Sequence, residues 1–247
     1  MSYEEPQRGN PHRLTIRQHV VSVAHLSTWT LGEALEVSRP PHTHWWRDKP
    51  KNVFLVQRAW CQKTELVRFK RSIEDPFHAE LTRITSGASL TDHYAVSRYF
   101  VLWAYRSTFL KRRADDDIVL SGVKDYAEPL SKDDEERLEK AGVQFMRPGG
   151  RVPSRFAAGI DWMRFHDRQH DQIVEQRWRV VEVPGRLLIG DTPWGPFIPV
   201  SPTLALLGHQ FGPRSTPSVQ QLNELTLDAV QCHCARVPAA PRRRRRS

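Results

Sequence analysis

The chain has 247 residues, with 37 lysines and arginines against 28 acids for a formal charge of +9, and 39% of its residues are hydrophobic. That length can bury a substantial core, and eight Trp, ten Phe and five Tyr are too many aromatics for a disordered polycation. No apolar run approaches the roughly 18 residues of a membrane span, the first thirty residues lack a secretory apolar block, and Cys61, Cys232 and Cys234 are too few for a disulfide framework.

The expectation is therefore a basic, cytoplasmic, globular protein that does not engage a membrane. Residues 1–14 show no periodicity and are expected to be a flexible lead-in to a single domain over 15–236. Residues 15–29 read as a short strand running into a helical turn, and 37–50 as a loop marked by Pro40-Pro41 and Pro50. Segments 52–59 and 65–71 read as strands, because β-branched and aromatic residues alternate with charges. Segment 76–85 predicts a short helix with Pro76 in its first turn.

The strongest periodicity lies over 90–113. Tyr94, Ser97, Val101, Ala104, Tyr105 and Thr108 form one helical stripe, widened by Val96, Phe100 and Trp103. Asp92 opens this helix and Lys111-Arg112-Arg113 close it, as the helix dipole prefers. Segment 131–141 predicts a charged surface helix, capped by Ser131 and ended by Gly142. After a turn at Pro148-Gly149-Gly150, residues 153–176 read as helical, with Phe156, Ile160, Met163 and Ile173 facing inward. Short strands follow at 178–183, 186–189, 197–200 and 203–208, the first two joined by a Pro184-Gly185 hairpin turn. A last helix is predicted over 218–235. The fold class is α+β: central helices with a small, mainly antiparallel sheet, its strands concentrated in the C-terminal third.

The positive charge is uneven. Arg242 to Arg246 close a proline-containing tail, 237–247, that is expected to be disordered and to contact phosphates in a salt-dependent way. Residues 39–71 hold Arg39, Arg47, Lys49, Lys51, Arg58, Lys63, Arg68, Lys70 and Arg71 against only Asp48 and Glu65, with Trp45, Trp46, Phe54, Trp60 and Phe69 interleaved. Cations neutralise phosphates and aromatic faces stack bases, so the mixture suits a nucleic-acid surface. An amphipathic hairpin with aromatics inside and cations outside would read the same way. Arg98, Arg106, Lys111, Arg112 and Arg113 extend the basic candidates along the long helix. Residues 115–140 carry ten acids against four cations and form an acidic arm over 115–141, suited to a basic protein partner.

His166 and His170 stand four apart, the spacing of helical zinc ligands, although no glutamate follows His166 directly. Cys232-His233-Cys234 lacks a second cysteine pair to complete a zinc site. Phosphate-loop, dinucleotide and nucleophile-elbow motifs are absent. Asp191 follows the apolar run Leu187-Leu188-Ile189-Gly190 and precedes Thr192-Pro193. Catalytic and metal-binding acids occupy such strand ends, and so do carboxylates that accept turn amides.

Five separated pieces together resemble a bacterial family known as domain of unknown function 4238. Gln18-His19-Val20-Val21-Ser22-Val23-Ala24-His25-Leu26-Ser27-Thr28-Trp29 is similar to its His-Tyr-x-Pro-x-x-Tyr-Leu-x-x-Phe opening. Tyr105-Arg106-Ser107 resembles its arginine-bearing helix end, and Trp178-Arg179-Val180-Val181 with Leu188-Ile189-Gly190-Asp191-Thr192-Pro193 its Trp-bearing strand and Ser-Asp-Asn-Pro. Pro199-Val200-Ser201-Pro202 and Leu222-Asn223-Glu224-Leu225 resemble its Pro-Leu-Ser-Pro and Leu-Asn pieces. Ser22, His25, Gly190 and Thr192 depart from the family's proline, tyrosine, serine and asparagine. The resemblance implies a bacterial or phage-encoded protein, and some relatives are associated with antiviral defence.

Two functions are expected on that basis. One is a nucleic-acid-binding factor using the cations above. The other is a metal-dependent nuclease with His19, Glu80, Arg106, Asp191 and Asn223 as its site. There, Asp191 and Glu80 would hold a divalent metal, His19 would act as base, and Arg106 would offset phosphate charge. A protein–protein adaptor using the acidic residues 115–140 is the third reading.

Overall fold

A computed structural model describes residues 3–111, 117–123, 128–212 and 216–238. In chain order the elements are β1 (Arg17–His19), α1 (Val23–Leu26), β2 (Leu35–Ser38), β3 (Trp45–Asp48), β4 (Leu55–Gln57), a π-helix (Thr64–Glu74), α2 (Asp75–Thr85) and α3 (His93–Ser107). There follow β5 (Ile118–Val119), α4 (Lys132–Lys140), β6 (Arg151–Val152), α5 (Ser154–Arg168), α6 (His170–Glu175), β7 (Trp178–Glu182), β8 (Ile189–Gly190), β9 (Phe197–Pro199), β10 (Leu204–Gly208), α7 (Val219–Ala229) and β11 (Cys234–Arg236). The class is α+β with small antiparallel sheets. Among the described residues no helix is long and apolar enough to cross a membrane.

The chain divides into two compact units whose segments interleave along the sequence. Unit 1 comprises residues 1–20, 55–77 and 97–175; unit 2 comprises 21–54, 78–96 and 176–247. In unit 1, β1 pairs with β4 and β5 with β6. Its core is an aromatic cluster in which the Phe69 ring lies 5.5 Å from Trp60, 5.8 Å from Trp162 and 6.1 Å from Tyr105. Edge-to-face geometry dominates, as the ring quadrupoles favour. The Tyr105 hydroxyl donates to the Ala158 carbonyl at 2.7 Å and so ties α3 to α5.

The strand expected over 65–71 is a π-helix, and the burial pattern gives the reason. Thr64, Phe69, Ile73 and Glu74 are its buried residues, a spacing of four to five that fits the wider turn. The Asp75 amide donates to the Lys70 carbonyl five residues back. Pro76 has no amide hydrogen, so the Ser72 carbonyl four residues earlier loses its helical donor. Arg98 Nη1 fills that position at 2.9 Å.

The acidic arm is also different from its expected surface role. Ser131 caps α4 as predicted, its hydroxyl accepting the Asp134 amide. Yet Glu135, Glu136 and Glu139 are buried. Glu139 Oε2 accepts from Arg58 Nη2 at 2.7 Å and from Arg155 Nε at 2.9 Å. Glu4 receives Lys132, Arg147 and Arg155, and Arg147 also donates to Glu135 and Asp117. Gln7 donates its amide to Glu136 at 2.7 Å, so residues 3–14, expected to be flexible, are fastened to α4. A periodicity-based reading saw only a solvated charge run, because the pairing arginines lie far away in sequence. Asp115, Asp116 and Asp125 of the arm, and residues 239–247 of the arginine tail, lie outside the described residues.

In α5 the inward face is Arg155, Phe156, Ala158, Gly159 and Trp162; Ile160 and Met163, expected inside, are exposed. Gly159 lets the π-helix approach, since a Cβ there would meet Thr64 Oγ1 at 3.0 Å. In α3 the residues 97–107 are buried on nearly all sides, whereas Tyr94 and Thr108, placed on the predicted inner stripe, are exposed.

Unit 2 contains the sheets β3-β2-β11-β8 and β7-β10-β9. Where a loop is predicted over 37–50, the chain forms the end of β2 and all of β3, paired with Val37 opposite Trp46. No β7–β8 hairpin forms at Pro184-Gly185: β7 pairs with β10, while β8 pairs with β11. The run Leu187-Leu188-Ile189 is buried on all its sides and carries no alternation that would name a partner. The last helix is capped by a Ser218–Gln221 capping box and stops at Val230, short of the predicted 235; Cys234–Arg236 form a strand instead.

Replacing Glu139 with Gln is expected to lower the free energy of unfolding by about 3–5 kcal/mol, since two buried guanidiniums lose their charged partner; urea denaturation measures it. Glu4 supplies a pH test. Burial pushes its carboxyl up, but the Arg155 charge and hydrogen bonds from Lys132, Arg147 and Arg155 outweigh that and hold it well below its ordinary value of 4.5. A depressed folded-state pKa adds stability above 4.5 that is lost progressively as pH falls below it. Thermal melts of Glu4→Gln should show a shallower loss between neutral and acid pH than the unaltered protein.

Candidate functional site

Of the five residues expected to form a catalytic site, His19 and Arg106 belong to unit 1, and Glu80, Asp191 and Asn223 to unit 2. His19 ends β1 opposite Leu55. Arg106 is buried at the end of α3, where Nη1 donates to Glu74 Oε1 at 2.6 Å and Nη2 lies 3.6 Å from Glu65 Oε2. Its guanidinium sits 4.9 Å from the Phe69 ring and 5.3 Å from that of Trp60. This arginine holds the π-helix against α3, with its charge met inside the core.

The unit 2 carboxylates are engaged by backbone amides. Asp191 is fully buried; Oδ1 accepts from the Gln231 amide at 3.0 Å, and Oδ2 from Cys232 at 2.8 Å and His233 at 2.7 Å. It thereby closes the turn between α7 and β11. The preceding Gly190 permits this approach, as a Cβ there would meet Val230 Cγ2 at 2.9 Å. Glu80 accepts the Thr91 amide at 3.0 Å and its hydroxyl at 2.8 Å. Burial raises its carboxyl, but bonds from Thr91 and Asp92 and the Arg83 charge bring it below the ordinary range. It anchors the turn leading into α3. Asn223 accepts the Leu188 amide at 2.8 Å and donates to the Arg186 carbonyl at 2.9 Å. These residues support turns and strand ends, and among the described residues no group of three or more His, Cys, Asp or Glu could hold a metal ion.

The histidine pair does not share a helical face either: Gln169 breaks the helix, leaving His166 on α5 and His170 on α6. Cys232 lies within the turn that Asp191 closes and Cys234 opens β11; neither is in a disulfide. Burial first, then the Asp191 charge, pushes the Cys234 thiol up to about 12, so it stays neutral.

The basic candidates separate by environment. Arg58 is buried on Glu139 and is a structural ion-pair partner, not a surface contact. Lys49 pairs with Glu33 at 2.6 Å and Lys70 with Asp75 at 2.9 Å. Arg98 serves the Ser72 carbonyl. Arg47 is exposed on β3 opposite Glu36, on a sheet face where Arg236 lies 4.0 Å over the Trp45 ring. Lys51 and Lys111 are exposed, and Arg112 and Arg113 lie outside the described residues. Lys63, Arg68 and Arg71 are exposed and form no ion pair among the described residues.

Two further cations escaped the sequence reading. Arg164 and Arg168 are exposed on α5, four residues apart, and form no ion pair among the described residues. With Tyr105, Thr108, Asp161 and Phe165 they line a cleft of about 360 Å³ at the ends of α3 and α5. Their spacing of four places both on one helical face, a signal present in the sequence. The π-helix and α5 pack against each other through Phe69 and Trp162. No protein-family model, curated protein or solved structure matches the chain.

Replacing Asp191 with Ala leaves three half-buried turn amides without their acceptor and is expected to cost about 2–3 kcal/mol. Chemical denaturation tests this: an unchanged midpoint would show that the turn does not depend on the carboxylate.

Proposed function

We propose that the protein is a nucleic-acid-binding factor that contacts the phosphate backbone through the helical surface of unit 1. The observation that carries this reading is the set Lys63, Arg68, Arg71, Arg164 and Arg168: exposed, of one sign, and without ion-pair partners among the described residues. Arg58, Arg106, Arg147 and Arg155 of the same unit are by contrast matched to carboxylates. Unmatched cations on packed helices hold charge at set positions, the arrangement that phosphate oxygens bind and that releases counterions on contact. The motif resemblance adds antiviral defence as a setting for that binding.

The nuclease alternative has weaker support, since the carboxylates of Asp191 and Glu80 already receive amide donors. The adaptor alternative loses much of its acidic surface to the buried Glu135, Glu136 and Glu139.

The test is a titration of labelled nucleic acid against salt. Affinity is expected to fall steeply with salt, and Arg68→Glu with Arg71→Glu should weaken low-salt binding at least about tenfold and flatten the log–log slope by roughly one to two units. Absence of measurable affinity at low salt would overturn the proposal.

A further inference from the structure

We infer that unit 1 takes single-stranded nucleic acid and seats one unstacked base in the cleft between α3 and α5, an inference that rests on the nucleic-acid reading above. The cleft's volume of about 360 Å³ lies at the small end of ligand pockets, enough for one nucleoside-sized group. Its wall includes the half-buried ring of Phe165, held 5.5 Å from Tyr105, and an aromatic face fixed in this way stacks a base of any sequence. A duplex keeps its bases stacked inside and has no such group to offer, so the concavity selects a single strand.

The charges around the cleft assign the two ends of a nucleotide. Arg164 and Arg168 stand on the exposed rim and suit the flanking phosphates. Both cleft-forming helices end here, and their carbonyl ends carry partial negative charge that would turn a phosphate away without those arginines. Thr108 Oγ1 donates to the Tyr105 carbonyl at 2.7 Å, so the hydroxyl offers a base N–H group an acceptor rather than a donor.

The experiment compares a short labelled oligodeoxycytidine with a duplex of equal length by fluorescence anisotropy at low salt. The unaltered protein should bind the single strand more tightly. Phe165→Ala should weaken single-strand binding by about fivefold or more and leave duplex binding unchanged, while Phe165→Trp should retain affinity. Arg164→Gln with Arg168→Gln changes exposed residues only and should also weaken single-strand binding, so it decides the matter if Phe165→Ala fails to fold. Duplex preference, or full single-strand affinity in folded Phe165→Ala, would overturn the inference. If Arg68→Glu with Arg71→Glu then still weakens binding, the cleft proposal falls while the nucleic-acid reading stands; if no nucleic acid binds at all, both fall.

Discussion

Glu139, a carboxylate at 3% side-chain exposure between the guanidiniums of Arg58 and Arg155, is the constraint around which unit 1 is arranged. An isolated charge so deeply placed would cost several kcal/mol, and only a nearly complete set of partners offsets it. Each partner arrives from a different segment: Arg58 follows β4, Arg155 opens α5, and Glu4 brings in the N-terminal residues through Arg155 and Arg147. A shift of α4 would break several of these contacts together. The network therefore specifies one arrangement more than it adds net stability.

That network also determines which charges are left to act on other molecules. Arg58, Arg147 and Arg155 are consumed inside, together with most of the acids of α4. Arg106 is consumed in the aromatic core by Glu74. Among the cations that remain outside are Arg68 and Arg71 of the π-helix and Arg164 and Arg168 of α5. The π-helix contributes directly: its wide turn buries Phe69 and Ile73 and leaves Arg68 and Arg71 outward.

In unit 2 the same chemical demand produces a different outcome. A buried carboxylate needs donors, and the nearest are the amides of turns. Asp191 and Glu80 meet that demand at the α7–β11 turn and at the start of α3. A catalytic acid would sit in the same sequence context, at a strand end beside a constrained turn, so the residue type and its neighbours do not separate the two roles. The amides that meet the Asp191 oxygens come from a segment about forty residues away.

Features governed by neighbours along the chain were legible: the Ser131 cap of α4, the Ser218–Gln221 box of α7, the helix-ending Gly142 and the long apolar α3. These depend on hydrogen bonds closing within four or five residues. The π-helix at 64–74 in place of a strand, the pairing of β7 with β10 and β8 with β11, the burial of Glu135, Glu136 and Glu139, and the fastening of Gln7 to Glu136 are not legible along the chain, because they depend on burial or on partners distant in sequence. The Arg164–Arg168 cleft was missed for a related reason: its other wall is the end of α3. The amino-acid sequence by itself thus determined the α+β class, the caps and the excess of positive charge. Only the tertiary structure decided which charges are buried in pairs and which face solvent, since the free energy of a charge depends on its desolvation and on partners that only folding brings within reach.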